Sequence, residues 1–281
     1  MTKADNIRSS SLALARQKLA ATGLVVVGIL AQIPVRADPI TVELALASEF
    51  ALLAGTGVTF IGPTAITGDI GSHPTPTMAG LGNLTLTGVN HADDAVMVQA
   101  MSDLLAAYTD AAGRTATVTY SPIYDLGGST LPSGVYKDPS SFAITGTLTL
   151  DAGGDPNAVW IFQAGSTLIT ASDSIVALIN GAQASRVFWQ VGSSATLGTG
   201  TDFAGSLMAH ESITLNTGAT VSGGRVLALN GAVTLDTTLI TVPEASSALL
   251  LIPGAAVLFA IRRRQPCLGI RRAGRVTPHG S

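Results

Sequence analysis

Cysteine, charge and aromatic side chains are all scarce in this chain. Its single cysteine, Cys267, lies near the C-terminus, which excludes a disulfide framework and a thiolate metal site. Aromatic residues make up 5% of the 281 residues and charged residues 12%, although apolar residues as a whole reach 47%. We therefore expect a large core that small aliphatic side chains fill and that packing alone stabilises.

Basic residues are almost absent from the middle of the chain. Residues 38–241 contain 16 acidic residues and only four basic ones, a formal charge of −12, and the other 11 basic residues lie towards the two ends. Phosphate binding requires clustered lysine and arginine side chains. Nucleic acid is therefore excluded as a partner of this region.

Recognisable catalytic and metal-binding motifs are lacking too. No serine lies in a nucleophile elbow, and no glycine-rich loop has the spacing of a phosphate cradle. His91 lies near Asp93 and Asp94, but acidic residues at the start of a helix are expected from the helix dipole alone. His210 and Glu211 form a single pair on a loop. We expect a protein that is not an enzyme and that holds no metal or cofactor.

What the chain has in abundance is a repeated β phrase, in which a leucine alternates with threonine or serine. The copies are LTLDAGGD (148–155), STLITASD (166–173), ATLGTGTD (195–202), ITLNTGAT (213–220) and VTLDTTLI (233–240). Their leucines, at positions 150, 168, 197, 215 and 235, are 18, 29, 18 and 20 residues apart. Repeats of this length without a helical period are typical of a β-solenoid, whose stacked coils bury one another's apolar sides.

A second set of apolar strands lies between the leucine copies, at 158–166, 186–194 and 225–232. These strands are expected to form another wall of the same coils, which predicts a three-sided β-solenoid. Trp160 and Trp189 alternate with apolar neighbours there, so we expect both in the core rather than on a carbohydrate-binding surface.

Hydroxyl side chains dominate the outer side of the repeat. Successive side chains of a strand point to opposite faces, so an inward Leu215 places Thr214 outside. Alignment of the copies on their leucines brings one set of residues into a single outer file: Thr170 to Ser172, Thr199 to Thr201, Thr217 to Thr220, and Thr237 with Thr238. Coils about 4.8 Å apart and alternate residues about 6.7 Å apart would make this file a flat, regular grid. Such a grid suits a regular partner.

One segment of the solenoid region has a helical period instead. Five residues recur three or four apart on one face: Met97, Met101, Leu104, Tyr108 and Ala111. We predict a helix at about 91–112, with Asn90 as its N-cap and Gly113 as its C-terminal stop. Its apolar face is expected to lie on one flank of the coils.

The two ends of the chain differ from the middle. Residues 1–37 combine basic residues, an apolar run at 19–33 and small residues before Ala37, which predicts a signal peptide cleaved after Ala37. Residues 242–264 contain an uncharged apolar run at 245–261 followed by three arginines, which predicts a segment that enters or spans a membrane. Residues 265–281 are predicted to be a disordered basic tail.

The C-terminal segment resembles the PEP-CTERM sorting signal. The resemblance rests on Pro243 and Glu244, the apolar run and the arginine cluster, although Ala245 replaces the second proline of the motif and 17 residues follow the arginines. It implies a membrane protease of the exosortase type, which acts on residues 243–264, and a location at the cell surface or in the extracellular matrix of a Gram-negative bacterium. The segment would anchor the protein transiently or stably.

Residues 44–241 resemble the bacterial and fungal ice-binding protein family. The stretches that carry the resemblance include FALLAGTGVT (50–59), ITGDIGSHP (66–74), AYTDAAGR (107–114), LTLDAGGDPNAVWIFQ (148–163), INGAQASRVFWQVGSSATLGTGT (179–201) and SITLNTGATVSGGRVLALNGAVTLDT (212–237). The resemblance implies an all-β, right-handed, discontinuous β-solenoid of triangular section with one long α-helix packed alongside. It also implies that the N-terminal segment and the C-terminal coils join side by side, and that a face other than the one under the helix binds ice.

The resemblance also assigns residues to the ice-binding face. They are Thr56, Gly57, Thr59, Thr170, Ser172, Thr199, Thr201, Thr217, Thr220 and Thr237. We therefore expect residues 38–241 to be the ice-binding domain of an exported, monomeric protein that adsorbs to ice and inhibits its recrystallisation. The alternative is a cell-surface adhesin or matrix structural protein, in which the solenoid is a rigid spacer. A polysaccharide-binding β-helix would need acidic and aromatic residues converging in a groove, which the repeats do not show.

Overall fold

A computed structural model of the protein describes residues 39–242. The predicted signal peptide, the sorting segment from residue 243 onward and the basic tail lie outside these residues. Within the described range, no helix is both long enough and apolar enough to span a membrane.

Residues 39–242 form 23 β-strands, one α-helix and three short 3₁₀ helices. The first strands are β1 (Phe50–Ala54), β2 (Val58–Phe60), β3 (Thr64–Thr67), β4 (Asp69–Ser72), β5 (Met78–Ala79), β6 (Leu84–Thr87) and β7 (Asn90–Ala92). After helix α1 (Ala95–Gly113) come β8 (Val118–Thr119), β9 (Tyr124–Asp125), β10 (Thr130–Leu131), β11 (Gly134–Asp138), β12 (Phe142–Ile144), β13 (Thr147–Asp151), β14 (Trp160–Ala164), β15 (Leu168–Thr170) and β16 (Ile175–Ile179). The last strands are β17 (Val187–Val191), β18 (Ala195–Leu197), β19 (Asp202–Ala209), β20 (Ile213–Leu215), β21 (Thr220–Ala228), β22 (Val233–Leu235) and β23 (Leu239–Thr241). The 3₁₀ helices are Ala45–Glu49, Leu81–Asn83 and Ala184–Arg186.

The strands pair in parallel and form three ladders that follow the stacking of the coils. An eight-stranded sheet has the order β9-β12-β15-β18-β20-β22-β2-β5. A 15-stranded sheet contains the helix-side ladder, β8-β11-β14-β17-β19-β21-β1-β4-β7, and the third ladder, β10-β13-β16-β19-β21-β23-β3-β6. β19 belongs to both because it bends at Gly205, which has a φ of 104°, and the pairing register shifts there. The predicted β-solenoid-like architecture is thus confirmed.

The N-terminal strands stack on the C-terminal coil rather than on the strands that follow them. Thr59 of β2 pairs with Thr234 of β22, and Ile66 of β3 pairs with Ile240 of β23. This is the side-by-side arrangement that the family resemblance implied. The chain then has to return from the β7 end of the stack to the β8 end, eight strand spacings or about 38 Å away. The 19 residues of α1 cover about 28 Å of this distance.

Helix α1 begins later than the sequence predicted. Asp94 is the N-cap, because its side chain accepts a hydrogen bond from the backbone N–H of Met97 at 2.8 Å. The predicted cap, Asn90, belongs to the extended strand β7 instead. Asp93 has a φ of 58°, which interrupts the regular backbone between β7 and α1. The apolar periodicity of the sequence does not reveal this interruption. Gly113 ends the helix as expected.

The helix packs on the outward side chains of the helix-side ladder. Its buried residues, Met97, Ala100, Leu104, Ala107 and Ala111, contact a row formed by Ile161, Phe188, Met208 and Leu227. Met101 and Tyr108 are only partly buried at the edge of this contact. The Gln163 Nε2 donates to the carbonyls of Ala111 and Arg114 at 2.7 and 2.8 Å, which supplies partners for the last turn of the helix.

Large side chains stack in register inside the coils. Leu197, Leu215 and Leu235 lie in one inward file with Phe60. The rings of Phe162 and Trp189 stack with their centroids 4.0 Å apart.

Both tryptophans are core residues, as predicted. Trp160 and Trp189 are at most 1% exposed, and each indole N–H donates to a backbone carbonyl, of Leu131 and Ala204 respectively.

The leucine-based alignment of the repeats is correct for three copies and wrong for two. Leu150 lies in β13 of the third ladder, where it pairs with Leu178. Leu168 pairs with Ala195, two residues before Leu197. The leucine repeat in the sequence therefore groups strands that lie in different ladders or pair in a different register.

His91 connects three elements near the start of α1. Its ring lies 2.7 Å from a carboxylate oxygen of Asp94 at the helix N-cap and 3.4 Å from one of Asp69 in β4. Burial acts to lower the pKa of His91, but hydrogen bonds and charge attraction from Asp94 and Asp69 outweigh burial, so the pKa is raised above its usual 6.5.

This pKa shift predicts a pH-dependent stability. Because the folded-state pKa of His91 exceeds the unfolded one, its stabilising contribution is complete below about pH 6.5 and is lost as the pH rises through the raised value. We expect the melting temperature of the native protein to decrease over this pH rise more than that of a His91→Gln variant. Melting curves between about pH 5 and pH 9 measure this difference. Parallel pH profiles would show that His91 contributes nothing.

Candidate functional site

The outer face of the eight-stranded sheet is the most regular surface of the described chain. The middle residue of each short strand points outward, because its two neighbours are buried, as in the pattern buried, half-exposed, buried of β18, β20 and β22. In stacking order these residues form what we call the central file: Ala79, Thr59, Thr234, Thr214, Thr196, Ile169, Ala143 and Asp125. Four consecutive members are threonine.

The threonine part of the central file is regular and firmly supported. No register shift interrupts the pairing of β18, β20, β22 and β2 within the described residues. The residues on either side of each threonine in these strands are at most 2% exposed, so the face lies directly on the core. Neighbouring threonines are therefore held about 4.8 Å apart, with little freedom to move.

The hydroxyl groups of this file are free to bind solvent. Within residues 39–242, no protein atom hydrogen bonds to the side chains of Thr59, Thr234, Thr214 or Thr196. Each threonine therefore presents a methyl group and an uncommitted hydroxyl, which can both donate and accept.

Asp125 ends the central file with a charge. Its carboxylate accepts hydrogen bonds from the backbone N–H groups of Gly127 and Thr145, each at 2.9 Å. Partial burial acts to raise the pKa of Asp125, but these hydrogen bonds outweigh burial and lower it. The hydroxyl and methyl surface thus stops at a fixed negative charge.

The other two ladders offer no comparable surface. Helix α1 covers the helix-side ladder. One outward file of the third ladder mixes side chains of different size and charge: Thr147, Ile175, Asp202, Thr220, Leu239, Ala65 and Thr85. A second outward file of that ladder places Ser222, Thr241, Thr67 and Thr87 side by side, but Ser222 donates to Asp202 and Thr241 accepts from the backbone N–H of Gly223. Among the described residues, only the eight-stranded sheet carries a run of four threonines whose hydroxyls bind no other protein atom.

Four of the sequence-predicted residues lie at the corners that follow this sheet. We call Ser172, Thr199, Thr217 and Thr237 the corner file; all four are exposed. Successive corners are linked by backbone hydrogen bonds, such as those from Gly200 to Thr217 and from Gly218 to Thr237, each of 3.0 Å. The corner file borders the flat sheet rather than lying on it.

Thr170 and Thr201 were expected to face outward, and this prediction is wrong. They are 3% and 1% exposed, and their hydroxyl oxygens lie 2.7 Å apart. Thr170 Oγ1 also accepts a hydrogen bond from the backbone N–H of Gly198 at 2.8 Å. For Thr170 the cause is the two-residue error in register, because Thr170 is level with Leu197 and points inward with it. Thr201 lies in the turn between β18 and β19, where strand alternation does not apply. These hydroxyls stabilise the turn from inside.

The remaining predicted residues are spread over different surfaces. Thr59 belongs to the central file, and Thr56 is exposed at the corner before it, whereas Gly57 is buried. Thr220 lies on the third ladder, where it donates to Asp202 at 3.0 Å. The expectation that the predicted residues share one file is therefore wrong.

Three members of the central file, Thr196, Thr214 and Thr234, were missing from the predicted set. The sequence does indicate these three threonines, because each directly precedes a repeated leucine in the tripeptides ATL, ITL and VTL. No group of three or more His, Cys, Asp or Glu side chains in residues 39–242 could hold a metal ion.

Comparisons with known proteins agree on one family. A family model described as "Ice-binding-like" matches residues 52–241. The chain is 43% identical over 235 residues to an ice-binding protein from Nostoc sp. (strain HG1), covering 79% of this chain and 87% of that relative. It is 37% identical over 221 residues to an ice-binding protein from Colwellia sp., covering 74% of this chain and 86% of that one.

Solved structures show the same likeness. The crystal structure of an ice-binding protein from an Antarctic biological consortium matches with a TM-score of 0.71 and 43% identity, covering 74% of this chain and 93% of that chain. An ice-binding protein from the Antarctic ascomycete Antarctomyces psychrotrophicus matches with a TM-score of 0.70 and 42% identity, covering 72% of this chain and 98% of that chain.

The buried and exposed threonines of the corners should respond differently to loss of the hydroxyl. Thr201→Val removes a buried hydrogen-bonding group and leaves Thr170 without one partner, so we expect the free energy of unfolding to fall by about 1–2 kcal/mol. Thr199→Val, at an exposed corner, should change it by less than about 0.5 kcal/mol. Denaturant unfolding curves measure both. Equal effects would contradict the inward placement of Thr201.

Proposed function

This chain belongs to the ice-binding-like family, and from that premise we propose that it binds ice through the outer face of the eight-stranded sheet. The observation that carries the proposal is the run of Thr59, Thr234, Thr214 and Thr196, which stand in register on a surface that no other described residue covers. The corner file forms the border of this surface. Thr170, Thr201 and Thr220 are not part of it.

The driving force has to come from order rather than from single strong bonds. A hydrogen bond to ice replaces an equal bond to liquid water, so isolated hydrogen bonds contribute little net free energy. A rigid row of methyl groups and uncommitted hydroxyls can align one layer of water over the whole sheet, and many small contacts then form together. The buried residues on either side of each central threonine supply the required rigidity.

Adsorbed protein would then restrict the growth of ice. Molecules fixed on the crystal force the ice front to bulge between them, and this curvature lowers the freezing temperature and opposes recrystallisation. The role is one of binding rather than catalysis, which agrees with the names of the relatives. No cofactor enters the proposal.

The finer features of the architecture and location belong to the proposal as well. We propose a right-handed solenoid of triangular section, which the three ladders and the handedness of parallel crossovers support. We further propose export through residues 1–37, action of a membrane protease on residues 243–264, residence outside the cell or at its surface, and a monomeric state. The sequence patterns described above support the first two of these.

A bulky side chain in the central file should prevent close contact between the eight-stranded sheet and the ice surface. In Thr214→Tyr the ring would stand above the sheet and hold its neighbours away from the crystal, so we expect inhibition of ice recrystallisation to require at least about tenfold more protein. The matched control is Thr149→Tyr, because Thr149 is a half-buried outward threonine of the third ladder. Thr217→Tyr tests the corner file in the same assay.

Two outcomes would contradict this. Full potency in a folded Thr214→Tyr protein would exclude the eight-stranded sheet as the contact surface. Absence of ice binding in the folded native protein would reject ice binding altogether and favour the surface-adhesin interpretation.

The central file also predicts a gain of function. Ile169 follows Thr196 in the file and is 52% exposed. Ile169→Thr would extend the run to five threonines, and we expect recrystallisation inhibition at about half the native concentration or less. Ile179→Thr, at a 39% exposed position of the third ladder, is the control and should leave potency unchanged. Equal gains in both variants would show that general surface polarity, not the file, sets potency.

A further inference from the structure

Asp236 binds two neighbouring hydroxyls of the corner file at once. Thr217 Oγ1 donates to Asp236 Oδ2 at 2.6 Å, and Thr237 Oγ1 donates to Asp236 Oδ1 at 3.1 Å. The two threonines belong to successive coils, so one carboxylate joins the corners after β20 and β22. Among the described residues, no hydrogen bond is formed by the side chains of Ser172 or Thr199, the other members of the file.

The direction of these two hydrogen bonds is fixed by chemistry. An ionised carboxylate has no hydrogen to donate, so each threonine hydroxyl must donate its only one to Asp236. Each threonine oxygen is then left with lone pairs alone towards solvent. The short bond of Thr217 is in the range of charge-assisted hydrogen bonds, which are stronger than neutral ones.

The backbone around Asp236 is adapted to this arrangement. Leu215 pairs with Leu235 and Thr220 with Leu239, so the corner after β22 is one residue shorter than the corner after β20. The left-handed position, which Gly200 and Gly218 occupy at the two preceding corners, falls here on Thr237 with a φ of 52°, which is costly for a β-branched residue.

Gly62, from the next coil, lies against the same group. A Cβ atom at this position would collide with Asp236 Oδ1 and Thr237 Oγ1. Gly62 needs no positive φ, so close approach to the carboxylate is the reason that a side chain does not fit there.

We propose that Asp236 is a positioning residue for ice binding, which turns the hydroxyls of Thr217 and Thr237 into fixed acceptors for the water layer at the border of the eight-stranded sheet. The inference rests on the proposed function. The hydroxyls of the central file can donate a hydrogen bond to a bound water or accept one from it. The hydroxyls of Thr217 and Thr237 can only accept, because their hydrogens are already bound to Asp236. Thr217 and Thr237 thus fix the orientation of the water molecules that bind at the border of the eight-stranded sheet.

Asp202 provides a matched control on another surface. Its Oδ1 accepts from Thr220 at 3.0 Å and from Ser222 at 3.5 Å, both on the third ladder. Asp236→Asn and Asp202→Asn remove the same charge next to a pair of hydroxyls. Only the first change alters the border of the eight-stranded sheet.

The test compares these variants of the full chain in ice recrystallisation inhibition. The Asn side chain accepts through one oxygen only, so in Asp236→Asn one hydroxyl turns its hydrogen outward, and we expect the inhibitory concentration to rise by about threefold to tenfold. Asp202→Asn should leave it unchanged. In a Thr217→Val/Thr237→Val background, Asp236→Asn should have no further effect.

Proton NMR near the freezing point should show slowly exchanging Thr217 and Thr237 hydroxyl signals in the native protein that are lost in Asp236→Asn.

The outcomes separate this inference from the proposed function. An inactive native protein that still shows the two hydroxyl signals would reject ice binding and keep the geometry of Asp236. An active native protein with equal potency in Asp236→Asn and Asp202→Asn would overturn the positioning role. So would an Asp236→Asn effect that persists in the double-valine background. If Asp236→Asn fails to fold, Gly62→Ala displaces the carboxylate without changing it and should raise the inhibitory concentration in the same way.

Discussion

In-register parallel stacking of coils is the constraint on which the rest of this structure depends. Each strand pairs with the same position of the next coil, so one inward leucine or aromatic side chain per coil builds a continuous core and one outward threonine per coil builds a continuous surface. With only 5% aromatic residues, the chain has few other ways to fill a core of this length. The regularity that stabilises the fold is thus the regularity that the proposed ice-binding face presents.

The sequence predicted the architecture because the architecture is repetitive. The leucine and threonine alternation indicated stacked β coils, and the change of period at Met97 indicated the helix. The family resemblance supplied the pairing of N-terminal with C-terminal strands, which no local pattern contains. Trp160 and Trp189 were assigned correctly because each alternates with apolar neighbours within a single strand.

The candidate site was harder to predict because it depends on register between strands. A shift of two residues preserves alternation, so alignment of Leu168 with Leu197 looks acceptable although Leu168 pairs with Ala195. That shift placed Thr170 on the surface when it is buried, and Thr201 was misplaced because it lies in the turn after β18, where strand alternation no longer applies. The position of Asp94 as the N-cap was missed for a related reason, because the conformation of Asp93 is set by the junction of strand and helix. Local patterns specify which side of a strand a residue faces, whereas partners across the stack specify what lies beside it.

The pairing of the first strands with the last has a consequence for the order of folding. Most solenoids can add coils one after another as the chain emerges, because each coil contacts only its neighbours. Here β2 and β3 need β22 and β23 as partners, from the opposite end of the described chain. The N-terminal coil therefore has an unpaired edge until nearly the whole repeat has been made, and long-range closure of this kind is slow. Docking of the N-terminal coil is therefore a late event, and a chain interrupted before residue 233 would leave that edge open to association with other chains.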